Sequence, residues 1–177
     1  MEKDDILVWS KDYFLQWTDF RAEINTAAFH DSFSYIQYHH TWTVNSEILN
    51  GDIYFHISDV QLSTHFLRHL SWTRQQNSSS LLNHEQGHFD LAELMKSSFV
   101  EQIKNKFKNI KFPTRGQNDE QRKQFAREKS GLMIANELSQ HMKILENLRK
   151  KYDEETEYGL NHLKQKKYDE KFKKLRL

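Results

Sequence analysis

The hydrophobic pattern changes its period once along the chain, near Ser78, and this change limits the folds open to it. Before that point apolar residues alternate with polar ones, as in a half-buried strand. After it they recur every three or four residues, as in an amphipathic helix. The chain has 177 residues, the size of one ordinary domain. We therefore predict a single α+β domain over residues 1–177, β-rich over 1–70 and helical over 78–177.

The clearest β signal is a hairpin. Alternation over residues 35–44 predicts a strand with one buried face. The pair Asn50-Gly51 accepts positive φ in a two-residue turn, and alternation resumes over residues 53–57. A short strand is also expected over residues 6–9, and residues 15–20 are interpreted as strand or turn.

Three helices are predicted in the second half. The first begins near Ser78, with Asn77 or Ser78 as its cap, and carries one stripe of residues at helical spacing. The stripe consists of Leu81, His84, His88, Ala92, Met95, Phe99 and Ile103. Residues 108–118 contain the only proline and are expected to form a loop. Further helices are expected from Asp119 and over residues 159–175.

The first helix contains His84-Glu85-Gln86-Gly87-His88, a match to the H-E-x-x-H pattern. At about 100° per residue, the two histidines lie about 40° apart around the helix and one turn apart along it, so both imidazoles can bind one zinc ion. Glu85 lies on the flank of the same face, where it can act as general base toward a metal-activated water. Because this face continues into the apolar stripe, we favour a metal site over a solvated helix face.

Two histidines leave zinc short of protein ligands, since a catalytic site normally has three and an open position for water. The chain contains no cysteine, so the remaining ligand cannot be a thiolate. Asp90 and Glu93 of the same helix are expected to point away from the histidine pair. A downstream segment is therefore expected to supply the third ligand, and residues 152–162 are the richest candidate.

Residues 81–93 resemble the L-L-x-H-E-Q-x-H-F-D-x-A-E signature of a bacterial family described as predicted secreted zinc-dependent proteases. The resemblance extends to residues 71–72 and 152–156, and to Gln165 and Tyr168, where the family tends to have Gln and Trp. It covers most of the chain, densely only around the helix. It implies a zincin-like metallopeptidase with an N-terminal mixed or antiparallel sheet packed on a long H-E-x-x-H helix, followed by further long helices. It also implies zinc as cofactor and a peptide or protein as substrate.

The chain departs from this family at a position that matters for the metal. The family has a histidine before the glycine of its Y-D-x-x-T-x-H-G segment, whereas this chain has Tyr158. We expect His162, one helical turn further on, to bind the metal instead, because neutral imidazole is a better zinc ligand than a phenol. Tyr158 would then donate to a developing oxyanion. Tyr158 itself or a nearby carboxylate is the alternative ligand; the carboxylates are Glu154, Glu155 and Glu157.

Asp153 is expected either to orient a ligand histidine or to cap the following helical turn. The competing function is a catalytically degenerate metal-binding protein that acts as a binding or structural module. The basic segment 164–176 suggests a nucleic-acid surface, but Asp169 and Glu170 interrupt it and the net charge is only +1. No nucleic-acid partner is therefore expected.

The cellular location is predicted conditionally. Residues 1–5 are acidic and no apolar run of signal-peptide length follows, which predicts a cytoplasmic protein if the sequence is native and complete. The family resemblance predicts a secreted or periplasmic protein if a leader has been removed. No segment approaches the roughly 20 apolar residues needed to cross a bilayer, so no membrane span is expected.

Overall fold

The computed structural model describes residues 5–177 and has the predicted α+β composition, with antiparallel sheets and three helices in that range. The strands are β1 (Ile6–Val8), β2 (Ser32–Phe33), β3 (Ile36–Leu49), β4 (Asp52–Leu67), β5 (Trp72–Thr73) and β6 (Phe112–Pro113). The helices are α1 (Ser79–Phe107), α2 (Asp119–Thr156) and α3 (His162–Lys173). No helix in the described range combines the length and apolarity that a bilayer span requires.

The main sheet is built around β4, which pairs with β1, β3 and β6. The predicted hairpin joins β3 to β4, and Asn50 and Gly51 both have positive φ, 53° and 90°. β1 is antiparallel to β4 over its whole length, with Ile6 opposite Leu67. A second sheet consists of β2 and β5 alone, with Ser32 opposite Thr73.

β4 is longer than its sequence pattern predicts. Phe55 and Ile57 are buried before Asp59, and Val60 and Leu62 are buried after it, so the buried face changes from odd to even positions. Asp59 has a φ of 49°, and such a local irregularity shifts the alternation as a β-bulge does. The pattern predicts the strand only to residue 57, because this shift conceals its continuation.

The chain divides into two compact units. In the described range the first comprises residues 5–39, 63–96 and 144–177, and the second comprises 40–62 and 97–143. The second unit has an aromatic core in which Phe55 lies 5.3 Å from Phe112 and 6.4 Å from Phe125 between ring centroids. The first unit contains every residue that the sequence assigns to the site. The prediction of a single domain stays a prediction.

In the first unit, the middle of α1 is buried on all sides rather than along one stripe. Every residue from 84 to 92 is buried. Asp90, predicted to point away from the histidine pair, accepts hydrogen bonds from Trp9 Nε1 at 2.7 Å and from Arg176 at 2.7 Å. The chain's N-terminal segment and its last turn thus cover the side of α1 that the amphipathic pattern leaves open.

Residues 157–161 reverse the chain between α2 and α3, where the sequence predicts a helix from residue 159. Glu157, Tyr158 and Gly159 have positive φ of 51°, 55° and 85° in succession. A Cβ on Gly159 would lie 2.9 Å from the Cβ of His84. Glycine is therefore required both for the backbone conformation and for the close approach of this turn to His84.

Candidate metal centre

α1 presents the three residues of the predicted motif together. One ligand atom from each of His84, Glu85 and His88 lies within 4.8 Å of the others, and the imidazole centroids are 4.9 Å apart. All three side chains are buried. The i, i+4 spacing on a helix accounts for the convergence of the two imidazoles.

The third side chain at the histidine pair is Asp153 of α2. Its Oδ1 lies 3.0 Å from His84 Nε2 and 2.9 Å from His88 Nε2. Burial raises the pKa of Asp153, but hydrogen bonds from His84 and His88 outweigh this effect and leave the pKa well below its usual range. A charged carboxylate therefore lies where both imidazoles converge.

The structure does not bring the expected third ligand, His162, to this group. His162 is exposed at the first position of α3, and its imidazole is not among the ligand atoms clustered within 4.8 Å in the described range. The one-turn spacing assumed that the helix continues through residue 162, whereas the left-handed turn at residues 157–159 redirects the chain first. The alternative carboxylates are also outside the cluster; they are Glu154, Glu155 and Glu157. Asp153 is not one of its three members either, but its Oδ1 lies within 3.0 Å of both imidazole Nε2 atoms.

Tyr158, the other residue assigned to catalysis, lies at the rim of the site. Its side chain is 53% exposed, and its ring centroid is 6.3 Å from that of His84. It lines the same cavity as Glu85 and Asp153. The tyrosine therefore lies beside the candidate metal site, and its ring is partly exposed to solvent.

Two oxygen atoms lie within hydrogen-bond distance of Nδ1 of His84. This nitrogen lies 3.3 Å from both Gln165 Oε1 and Thr156 Oγ1. A proton on Nδ1 can be donated to these two oxygens, and this is the arrangement that coordination of a metal through Nε2 would require. Tyr152 stacks on the ring at 4.6 Å with an interplanar angle of 7°, which fixes its orientation.

His88 has a different partner at Nδ1. Arg149 Nε donates to this nitrogen at 3.2 Å, so the proton of neutral His88 lies on Nε2, which donates to Asp153. Burial, together with the charge of Arg149, lowers the pKa of His88 and favours the neutral ring. Coordination through Nε2 requires the proton to move to Nδ1, and Arg149 must then give up this hydrogen bond.

Glu85 is held by two serines that sequence reasoning missed. Ser32 Oγ donates to one carboxylate oxygen and Ser34 Oγ to the other. Ser32 belongs to β2, and residues two apart on an extended chain share a face. The Ser-Phe-Ser sequence was the available signal, but nothing local indicated that its serines face the motif. Each carboxylate oxygen retains a lone pair for a further proton.

Two adjoining cavities open beside Glu85. One, of about 270 Å³, is lined by both histidines, Asp153 and Arg149. The other, of about 300 Å³, has an apolar part formed by Phe29, Leu81 and Leu160. Both are bordered by His30, Ser32, Glu85 and Tyr158. Glu85 therefore borders open space in both cavities.

The side chains at this site fit a zinc ion. Both imidazole Nε2 atoms lie within 3.0 Å of Asp153 Oδ1. Two imidazole nitrogens and one carboxylate oxygen are a donor set typical of catalytic zinc sites. The cavity next to them leaves room for a further group. Comparisons of the chain with known family models, curated proteins and solved structures found no match.

Proposed function

We propose that this protein is a zinc-dependent metallopeptidase of the zincin type, which hydrolyses peptide bonds. His84, His88 and Asp153 hold the metal, and Glu85 is the general base. The observation that carries the proposal is the convergence of Asp153 Oδ1 on both imidazole Nε2 atoms, at 3.0 and 2.9 Å, beside Glu85 in an open cavity. The H-E-x-x-H pattern and the resemblance to predicted secreted zinc-dependent proteases support the same function.

Each residue at the site has a separate role in the proposed reaction. A zinc ion held by His84, His88 and Asp153 would supply the Lewis acidity that polarises the scissile carbonyl and makes an attacking water easier to deprotonate. Glu85 accepts that proton and returns it to the leaving amine, while hydrogen bonds from Ser32 and Ser34 hold its carboxylate in place. Tyr158, at the rim, donates a hydrogen bond to the developing oxyanion.

An extended peptide fits the open edge of β2. Arg74 N donates to Asp31 O at 2.7 Å on the side of β5, so in an antiparallel pair the backbone groups of Ser32 face the opposite way. Arg149 donates to the carbonyl of Ser34 on that side, and Ser32 lines both cavities. A substrate strand would pair with this edge, which places its backbone beside Glu85.

Metal content and turnover together test the proposal. The zinc-loaded protein is expected to bind one zinc ion and to cleave members of a broad peptide library, read out by mass spectrometry. Glu85→Gln should keep the zinc and lose hydrolysis by about 10²–10⁴-fold, the usual contribution of a general base. Glu101→Gln, an exposed glutamate of the same helix, is the matched control and should leave both unchanged.

Two results would contradict the proposal. If the protein does not bind zinc, it has no metal site and the proposed mechanism is excluded. Tight zinc binding without turnover of any peptide, in the wild-type protein as in Glu85→Gln, identifies instead the degenerate metal-binding module.

A further inference from the structure

Arg149 is a cation at this site whose direct contacts are all with uncharged groups. Nε donates to His88 Nδ1 at 3.2 Å, and one Nη donates to the carbonyl of Ser34 at 2.7 Å. The guanidinium carbon lies 5.8 Å from the centre of the Phe33 ring. Over residues 5–177 Arg149 forms no ion pair, and its other Nη has no protein acceptor.

The acidic side chains near Arg149 are engaged elsewhere. Asp153 accepts from two imidazoles, and Glu85 accepts from two hydroxyls. Glu146 is paired with Lys150 at 3.3 Å, so these two exposed charges compensate each other. With a divalent cation bound, the carboxylates of Asp153 and Glu85 would not balance the cation together with Arg149, so the loaded site would carry an excess of positive charge.

Arg149 also lines the cavity that contains Glu85, His88 and Asp153. It lies one helical turn before Asp153 on α2, so both side chains are on the face that meets the motif. Coordination by His88 frees Nε as well, because its Nδ1 must then carry the proton. A guanidinium with free N–H groups is the side chain best suited to bind a carboxylate through paired hydrogen bonds.

We infer that Arg149 binds a carboxylate of the substrate next to the scissile bond, so that the preferred substrates are anionic peptides. The inference rests on the proposed function and names its substrate class. The carboxylate is either the α-carboxylate of a C-terminal residue, which makes the enzyme a carboxypeptidase, or the side chain of an Asp or Glu within the peptide. In both cases the guanidinium contacts the substrate and determines specificity.

Peptide binding tests the inference without turnover. Zinc-loaded Glu85→Gln protein is titrated with fluorescently labelled alanine pentapeptides, and Kd is measured by anisotropy. One pair has Asp or Asn at the central position with an amidated C-terminus, and the other has a free or amidated C-terminus. We expect the carboxylate member of one pair to bind about tenfold tighter or more, as for a hydrogen bond to a charged group. The pair that shows this ratio identifies the source of the carboxylate.

Variants of Arg149 test whether its guanidinium or another group at the site binds the peptide carboxylate. Arg149→Gln should abolish the carboxylate-to-amide ratio, and Arg149→Lys should keep part of it. Lys151→Gln, which removes an exposed cation that does not line the cavity, should leave the ratio within about twofold. If Arg149→Gln does not fold by circular dichroism, a reduced ratio in Arg149→Lys serves instead.

If Arg149→Gln has the same carboxylate-to-amide ratio as the parent protein, the zinc ion rather than Arg149 binds the carboxylate, and the inference is overturned. It is also overturned if the parent protein binds the carboxylate and amide peptides equally. If wild-type protein cleaves no peptide while the ratio depends on Arg149, the proposed function fails and the binding role stands.

Discussion

At the scale of single residues, the proposed metal ligands differ in how far the sequence identifies them. His84 and His88 follow from their spacing on one helix. Asp153 lies 69 positions beyond His84 on another helix, and periodicity does not indicate which face of α2 meets α1. The preference of zinc for imidazole pointed to His162, although a carboxylate oxygen is also a normal zinc ligand. The i, i+4 pair Tyr152 and Thr156, both buried against His84, was the available signal for the correct face.

Asp153→Asn tests the ligand assignment. The amide keeps the shape of the side chain but removes its charge, so zinc affinity should fall at least as far as the roughly 10–100-fold typical of losing a partner that only orients a ligand. His162→Ala, which removes the exposed imidazole, should bind zinc as the wild type does. Competition with a chromophoric chelator measures both affinities. Loss of zinc from His162→Ala, with retention in Asp153→Asn, would reverse the assignment.

At the scale of elements, α2 approaches α1 at a residue that has no side chain. A Cβ on Gly87 would lie 2.0 Å from the hydroxyl oxygen of Tyr152 and 2.7 Å from its Cζ. Tyr152 is fully buried, stacks on His84 and donates to its carbonyl at 3.1 Å. Gly87 occupies a variable position of the H-E-x-x-H pattern, and helix propensity counts it as unfavourable. The sequence alone therefore gives no indication that this glycine sets the distance between the helices.

Gly87→Ala should destabilise the protein by about 1–3 kcal/mol, because the methyl group displaces a packed tyrosine. The loss should occur although alanine favours a helix over glycine by about 1 kcal/mol. Gly131→Ala in α2 is the control, since its Cβ would meet only the Trp42 ring at 3.3 Å. Urea unfolding followed by circular dichroism gives both free energies of unfolding. Equal stability of the two variants would show that Tyr152 moves aside freely.

The starts of the helices were more predictable than their ends. Ser78 Oγ accepts from Leu81 N at 3.2 Å and caps α1, as predicted. Asn118 caps α2 directly before the predicted first residue, accepting from Gln121 N at 2.9 Å. Such caps are local, whereas the end of α2 depends on three left-handed residues of which only one is a glycine. Packing of this turn over His84 overrides what Glu157 and Tyr158 prefer as isolated residues.

At the scale of the whole molecule, the first unit brings both ends of the described chain together on α1. The last turn, Lys174–Arg176, belongs to a segment whose sequence predicts a solvated basic face. Arg176 instead donates to Asp90 at 2.7 Å, and its side chain is only 12% exposed. It also donates to the backbone carbonyls of Ser10, Lys11 and Tyr13. Residues far apart in sequence meet here, so no local pattern distinguishes this arginine from the lysines around it.

Arg176→Ala should reduce the free energy of unfolding near pH 7 by about 3–5 kcal/mol, since it leaves the buried Asp90 carboxylate without its counter-charge. Lys174→Ala removes an exposed cation two residues away and should have little effect. Urea unfolding of the two variants and the wild type provides the comparison.

The loss in free energy of unfolding caused by Arg176→Ala should also depend on pH. Burial raises the pKa of Asp90, and the hydrogen bond from Trp9 and the charge of Arg176 oppose this without cancelling it. Removing Arg176 raises the folded-state pKa further above the unfolded value. When the pKa of a carboxyl group is higher in the folded than in the unfolded protein, the free energy of unfolding falls as pH rises from the unfolded pKa through the folded one. This fall should be larger in the variant than in the wild type. Its deficit should therefore be smaller near pH 4 than near pH 7, where Asp90 must be charged. A deficit that is the same at both pH values would show that Arg176 acts through its packing and backbone contacts rather than through the charge of Asp90.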